Sequence, residues 1–216
     1  MLRTPKLDAR NHLAETILAA LRDVGARRAL AALAGGCADG DVGGDDAADA
    51  DTLRARAQAA ERAVAGVPLT RAGDALDAAL EDAAALFDAG LFFEVHEVLE
   101  PLWQDAGSGR RGAAPGAARE ALQGLIQIAV GYQHGANGNV RGARALLLEG
   151  TERIAGRVLA GRELGAFAAA VRTSLAGIED LDGATIPQFP RVNDGDDRPR
   201  GDGDLRPRGD VEHRRI

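Results

Sequence analysis

Residues 86–104 read LFDAGLFFEVHEVLEPLWQ. The apolar residues recur at helical rather than strand spacing. Gly90 is a natural stop for the helical pattern of residues 74–89, DALDAALEDAAALFDA, because a left-handed residue closes many helices. A second helix is expected over residues 91–105. At 100° per residue, Phe92, His96, Leu99 and Trp103 fall on one face of it. Glu100 lies one turn beyond His96, within about 40° on the wheel. Glu94 and Glu97 point the other way on the same wheel and are expected to face water. Pro101 removes one helical hydrogen bond and clashes with the carbonyl of Glu97, so a kink or a new turn is expected there.

The pattern stays helical on both sides. Downstream, residues 106–115 read as a loop and residues 116–134 as a nearly all-apolar helix. A turn ANGN follows, and Asn139 can cap a helix to about Leu159. A last amphipathic helix carries Leu164, Phe167, Val171, Leu175 and Ile178. Upstream, residues 9–33 read as one helix or a pair broken near Gly25. Residues 52–65 form another, with Thr52 as its cap. Residues 35–51 hold six aspartates among glycines and alanines, and read as an acidic linker. The expected fold is all-α, a compact array of about six helices, with a disordered C-terminal tail. The expected division is an N-terminal helical segment (1–34), the linker (35–51), a helical domain (52–182) and a charged tail (183–216). No strands are expected.

Composition narrows the function classes. The 216 residues carry 26 basic and 33 acidic side chains, a formal net charge of -7. Most of the excess sits in the acidic linker, leaving the body near neutral and without a basic face. Nucleic acid is therefore not an expected partner. One cysteine, Cys37, excludes an intramolecular disulfide framework and a cysteine-rich zinc module. No apolar run reaches the ~18 residues of a membrane span. Asp8, Glu15 and Asp23 interrupt the first 25 residues, so no secretory signal is read. The expected setting is cytoplasmic, with no membrane partner.

Chemistry concentrates in two stretches. In residues 122–134, LQGLIQIAVGYQH, Gln123, Gln127 and His134 share one stripe. Gly124, Gly131 and Gly135 form a second stripe. Helical glycines cost about 1 kcal/mol each relative to alanine, which close approach of a neighbouring helix or a ligand would offset. The ten-residue loop favours an antiparallel pair in which facing residue numbers sum to about 222. His96 is then level with Ile126 and Gln127, and Glu100 with Leu122 and Gln123. His134 falls further on, near Asp88 and Phe92. This arrangement gathers His96, Glu100, Gln123 and Gln127 into a polar pocket walled by Trp103, with His134 at its edge. A histidine beside a carboxylate is either a satisfied core-edge group or a ligand or general base. A metal would draw its ligands from His96, Glu100, His134 or Glu97. Position 100 is Glu, so this is not the HExxH zinc motif. There is neither a glycine-rich phosphate loop nor a Gly-x-Ser-x-Gly elbow.

Phe87-Asp88-Ala89-Gly90, Phe93 to Glu100 and Trp103 resemble the signature of the bacterial and archaeal "domain of unknown function 309" family. Leu122 to Gln127, His134, Asn139, Gly142-Ala143 and Leu146-Leu147 supply its second block. The resemblance covers roughly residues 80–160 and implies a compact all-helical domain with no established reaction. The family's motif positions that land here are His96, Glu97, Glu100, Trp103, Gln123, Gln127, His134 and Asn139. Val95 stands where a smaller residue is expected, and Gly131 where a bulkier aliphatic one is. The leading expectation is a small binding domain that holds a polar ligand or an ion against His96, Glu100 and Gln127. The first alternative is a metal-assisted, hydrolase-like enzyme with His96 as general base. The second is a protein-interaction module whose polar network is purely structural. No particular cofactor, catalytic residue or oligomeric state is read from the sequence.

Overall fold

The computed structural model describes residues 7–36, 45–70, 73–107, 115–179, 181 and 186–192. Within them the chain forms eight α-helices and one short hairpin. The all-α class is as expected, and the helix count is higher than the expected six. The first segment is a broken pair, α1 (Leu7–Ala20) and α2 (Val24–Gly35). The break is set by Asp23 rather than Gly25. Asp23 is extended, and its carboxylate accepts the Ala26 N–H at 2.7 Å, as an N-cap does. Gly25 sits inside the first turn of α2.

α3 runs Asp45–Ala65, so the acidic stretch is not linker throughout. Its second half is the start of this helix, and Thr52 lies inside rather than capping it. The alanines in this stretch favour the helix. Residues 37–44 of the expected linker lie outside the described residues.

α4 (Ala75–Asp88) is capped by Asp74, which accepts the Asp77 N–H, and it ends before Gly90 at φ +75°. α5 (Phe92–Gly107) continues through Pro101 as a single helix. α6 (Pro115–Ala136) and α7 (Val140–Ile154) follow. Asn139 caps α7 by accepting the Gly142 N–H at 3.0 Å. The helix stops five residues before Leu159, because a hairpin intervenes. β1 (Val158–Leu159) pairs antiparallel with β2 (Arg162–Glu163), correcting the expectation of no strands. Ala160 and Gly161 both have positive φ, the backbone of a two-residue primed turn. α8 (Gly165–Ser174) and a 3₁₀ turn, Leu175–Gly177, close the array. All five apolar residues expected on this last helix are buried.

α5, α6 and α7 form the centre. Phe87, Phe92 and Tyr132 meet edge-on or tilted at 5.0 to 5.8 Å between ring centres. The glycine stripe marks where α7 presses on α6. A Cβ on Gly124 would lie 2.9 Å from the Gly150 carbonyl oxygen, and one on Gly131 would lie 2.8 Å from Leu147. The neighbouring helix, rather than a ligand, accounts for both. The bulkier aliphatic residue expected at position 131 would have no space there.

Residues 186–192 pack back onto this core, although they fall in the stretch expected to be tail. Phe189 is buried, with ring centres 5.5 Å from Phe87 and 5.8 Å from Phe167. Its N–H donates to Asp88 Oδ1 at 2.9 Å, and Arg191 pairs with Asp88 Oδ2 at 2.7 Å. One buried aromatic and one shared carboxylate anchor a segment without periodicity. Residues 183–185 and 193–216, including the repeated RPRGD, lie outside the described residues. Among the described residues no helix is long and apolar enough to cross a membrane.

Candidate functional site

The register of the α5–α6 pair follows the loop-length argument. The Arg119 guanidinium lies 4.4 Å over the Trp103 ring, and Phe92 meets Tyr132 at 5.5 Å. Both contacts fall within two residues of the expected pairing. Trp103 is thus a half-buried wall at the connected end of the pair, with a cation on its face.

His96 is half-buried on α5, with its imidazole between two carboxylates of its own helix. Nδ1 lies 3.0 Å from Glu97 Oε1, and Nε2 lies 3.6 Å from Glu100 Oε2. Donor atoms of the three residues all fall within 4.8 Å of one another. The Gln104 amide donates to Glu100 Oε1 at 3.1 Å, fixing one oxygen of that carboxylate. On the other side of the imidazole, the Phe93 ring stacks at 6.4 Å and 27°.

Two glutamates depart from the helical wheel. Glu97 does not simply face water. A wheel fixes Cβ directions, but three side-chain torsions let this carboxylate swing round to Nδ1. Glu94 is fully buried. Arg56 of α3 reaches it through Nη2, at 2.6 and 2.8 Å from its two oxygens. Helical spacing against α6 alone does not see α1, which also packs on α5, or the Arg56 side chain that reaches in from α3. A buried carboxylate needs such a partner.

The remaining expected residues have other partners. Gln127 hydrogen-bonds Glu149 of α7 and, ahead of Arg153, holds that carboxyl below its usual range. Its amide oxygen is a buried atom without a hydrogen-bond partner among the described residues, as is the Trp103 indole N–H. His134 accepts at Nδ1 from the Asn139 amide at 2.8 Å, so it braces the turn into α7. Gln123 is half-buried on α6. The structure therefore brings together His96, Glu97 and Glu100, while Gln127 and His134 bond to residues at α7. A cleft of about 570 Å³ lies elsewhere, between the end of α3 and α4, lined in part by Val67, Glu81, Asp88 and Arg191.

Sequence reasoning missed Gln104, Arg119 and Arg10. Gln104 was legible as the i+4 neighbour of Glu100. Arg119 was legible from the register. Arg10 was not: it comes from α1, and its guanidinium lies 4.3 Å over the Phe93 ring.

Residues 80–146 match the family described as Domain of unknown function (DUF309). The resemblance drawn from the two motif blocks is borne out. The DUF309 match takes in most of α4, all of α5 and α6, and the first half of α7. It includes His96, Glu97 and Glu100 and excludes α1, α2, α3, α8 and the strap at 186–192. No curated protein and no solved structure matches the chain.

Proposed function

We propose that this is a binding protein whose site is the flank of α5, where His96, Glu97 and Glu100 hold a divalent first-row transition cation. The observation that carries the reading is the convergence of one imidazole and two carboxylates within 4.8 Å. Ligands around a tetrahedral cation are about 3.4 Å apart, so small side-chain rotations close the set. The donors fit the ion chemically. Imidazole with carboxylate suits zinc, manganese or iron better than calcium, which prefers all-oxygen sites. Three protein ligands would leave coordination positions open, the pattern of sites that receive a further ligand. Gln104 orients Glu100 from outside the ligand set. The half-exposure of all three donors gives an ion a direct path in.

A bound cation here would act as a Lewis acid toward whatever fills its open positions. The chain's own residues would hold it, His96 through one ring nitrogen and Glu97 and Glu100 through one carboxylate oxygen each.

The test is isothermal titration of Zn²⁺ into protein purified without chelator or affinity metal. One equivalent is expected to bind, with affinity reduced at least ~tenfold in His96→Ala and in Glu100→Gln. Circular dichroism should find both variants folded, because neither side chain is core. Absence of binding to the wild type, or unchanged binding in His96→Ala, would overturn the reading.

A further inference from the structure

The side chains above the candidate site form an ordered column that the site itself does not require. Phe93, Glu97, Glu100 and Gln104 follow one stripe of α5 at helical spacing, with His96 beside it. At the N-terminal end of that stripe the Arg10 guanidinium lies 4.3 Å over the Phe93 ring, and the same ring stacks against His96 at 6.4 Å. The guanidinium is therefore no further from the imidazole than the sum of those two distances. Arg10 comes from α1, outside the DUF309 match.

Arg10 is placed but only lightly held. Its Nε and Nη2 donate to the amide oxygen of Asn11, at 3.1 and 3.0 Å. Among the described residues no carboxylate pairs with it, although two stand one and two turns along the stripe. A cation over an aromatic face at a partly exposed position is weakly tethered. Asn11 takes the Nε–Nη2 edge, which leaves the Nη1–Nη2 edge to face a ligand.

We infer that Arg10 and the His96–Glu97–Glu100 cluster together bind an oxyanion, of the phosphate-monoester class, with the anion bridging the bound cation and the guanidinium. The inference rests on the cation-binding reading. The charges require both halves. Two glutamates cancel a divalent ion, so the loaded cluster alone has no net attraction for an anion. Arg10 supplies the missing positive charge. Guanidinium binds two oxygens of one phosphate in a geometry that lysine cannot copy. Phe93 sets the spacing by holding the guanidinium off the imidazole. Glu97 and Glu100 repel any anion that does not also reach the cation.

Mn²⁺ and phenyl phosphate test this in two separable steps. Electron paramagnetic resonance first measures Mn²⁺ binding to the wild type, to His96→Ala and to Arg10→Ala. The wild type and Arg10→Ala should bind alike, and His96→Ala at least ~tenfold more weakly. Phosphorus-31 relaxation then measures phenyl phosphate on the Mn²⁺-loaded protein. A saturable enhancement is expected in the wild type, with affinity at least ~tenfold weaker in Arg10→Ala and only partly recovered in Arg10→Lys. Loss of phenyl phosphate binding with Mn²⁺ binding intact locates the effect at Arg10. Equal phenyl phosphate binding in wild type and Arg10→Ala, or none in a wild type that binds Mn²⁺, overturns the oxyanion proposal alone. A wild type that binds no Mn²⁺ overturns it together with the reading on which it rests.

Discussion

The buried pair between Arg56 and Glu94 makes a quantitative prediction. Neither side chain is exposed to solvent, and one guanidinium nitrogen lies within 2.8 Å of both carboxylate oxygens. Glu94→Gln preserves shape and removes the charge. The guanidinium then stays in a low-dielectric site with the Glu94 charge removed. Removing one partner of such a pair costs about 3–5 kcal/mol. For a chain of this length that corresponds to a fall in melting temperature of roughly 10 °C. Replacing both residues, as in Arg56→Met with Glu94→Met, removes the uncompensated charge along with the ion pair. The double variant should then lie within ~1–2 kcal/mol of the wild type, far from the sum of the single losses. Urea unfolding followed by circular dichroism, and separately by the fluorescence of the single tryptophan, gives the free energies and checks that the transition is two-state. A loss below ~1 kcal/mol in Glu94→Gln would refute the reasoning. So would a double variant as unstable as the two singles combined.

Two further outcomes follow from the packing. Gly150→Ala places a Cβ 2.8 Å from the Gly124 carbonyl oxygen and 2.8 Å from Ile128 Cγ1; overpacking at about 1–3 kcal/mol should exceed the ~1 kcal/mol gained in helix propensity. Gly116→Ala, with open space at its Cβ, should not lose stability, and a Gly150→Ala protein as stable as the wild type would refute the close-approach argument. Tyr132 is the single tyrosine; burial pushes its phenol up to about 12, partly countered by the Ser174 hydroxyl at 2.7 Å. Its 295 nm absorbance should therefore titrate near pH 12 in the folded chain and near pH 10 in urea. Because the unfolded chain releases this proton first, up to about 3 kcal/mol of stability should be lost as pH rises from 10 to 12.

Sequence legibility followed the range of each interaction. Helices with one apolar stripe and a local cap were readable: Asp74 opens α4, Gly90 closes it, and Asn139 opens α7. The antiparallel register was readable too, since a short loop and two long helices leave little freedom. Features set by a distant partner were not. Glu94 looks solvent-facing until Arg56, 38 residues away in sequence, is placed across from it. The packed segment at 186–192 has no period to read, and its anchors at Asp88 and Phe87 are about a hundred residues upstream. The hairpin turn Ala160-Gly161 lacks the Asn-Gly signal that usually marks this geometry. At the candidate site, helical spacing located His96 and Glu100 but misdirected Glu97, because a wheel carries no side-chain torsions.

The aromatic cluster around Phe87 bears on what counts as a unit in this protein. Phe87, Phe92 and Tyr132 lie inside residues 80–146, whereas Phe167 and Phe189, which close the cluster, lie outside. Arg56, which neutralises Glu94, is outside as well. The stretch that matches the family model is thus smaller than the stretch that packs together. Cut out at its recognised borders, it would carry an orphaned acid and a half-open aromatic nest, and α7 would end before Gly150 reaches Gly124. The border of the family match and the border of the packed core fall at different residues in this chain.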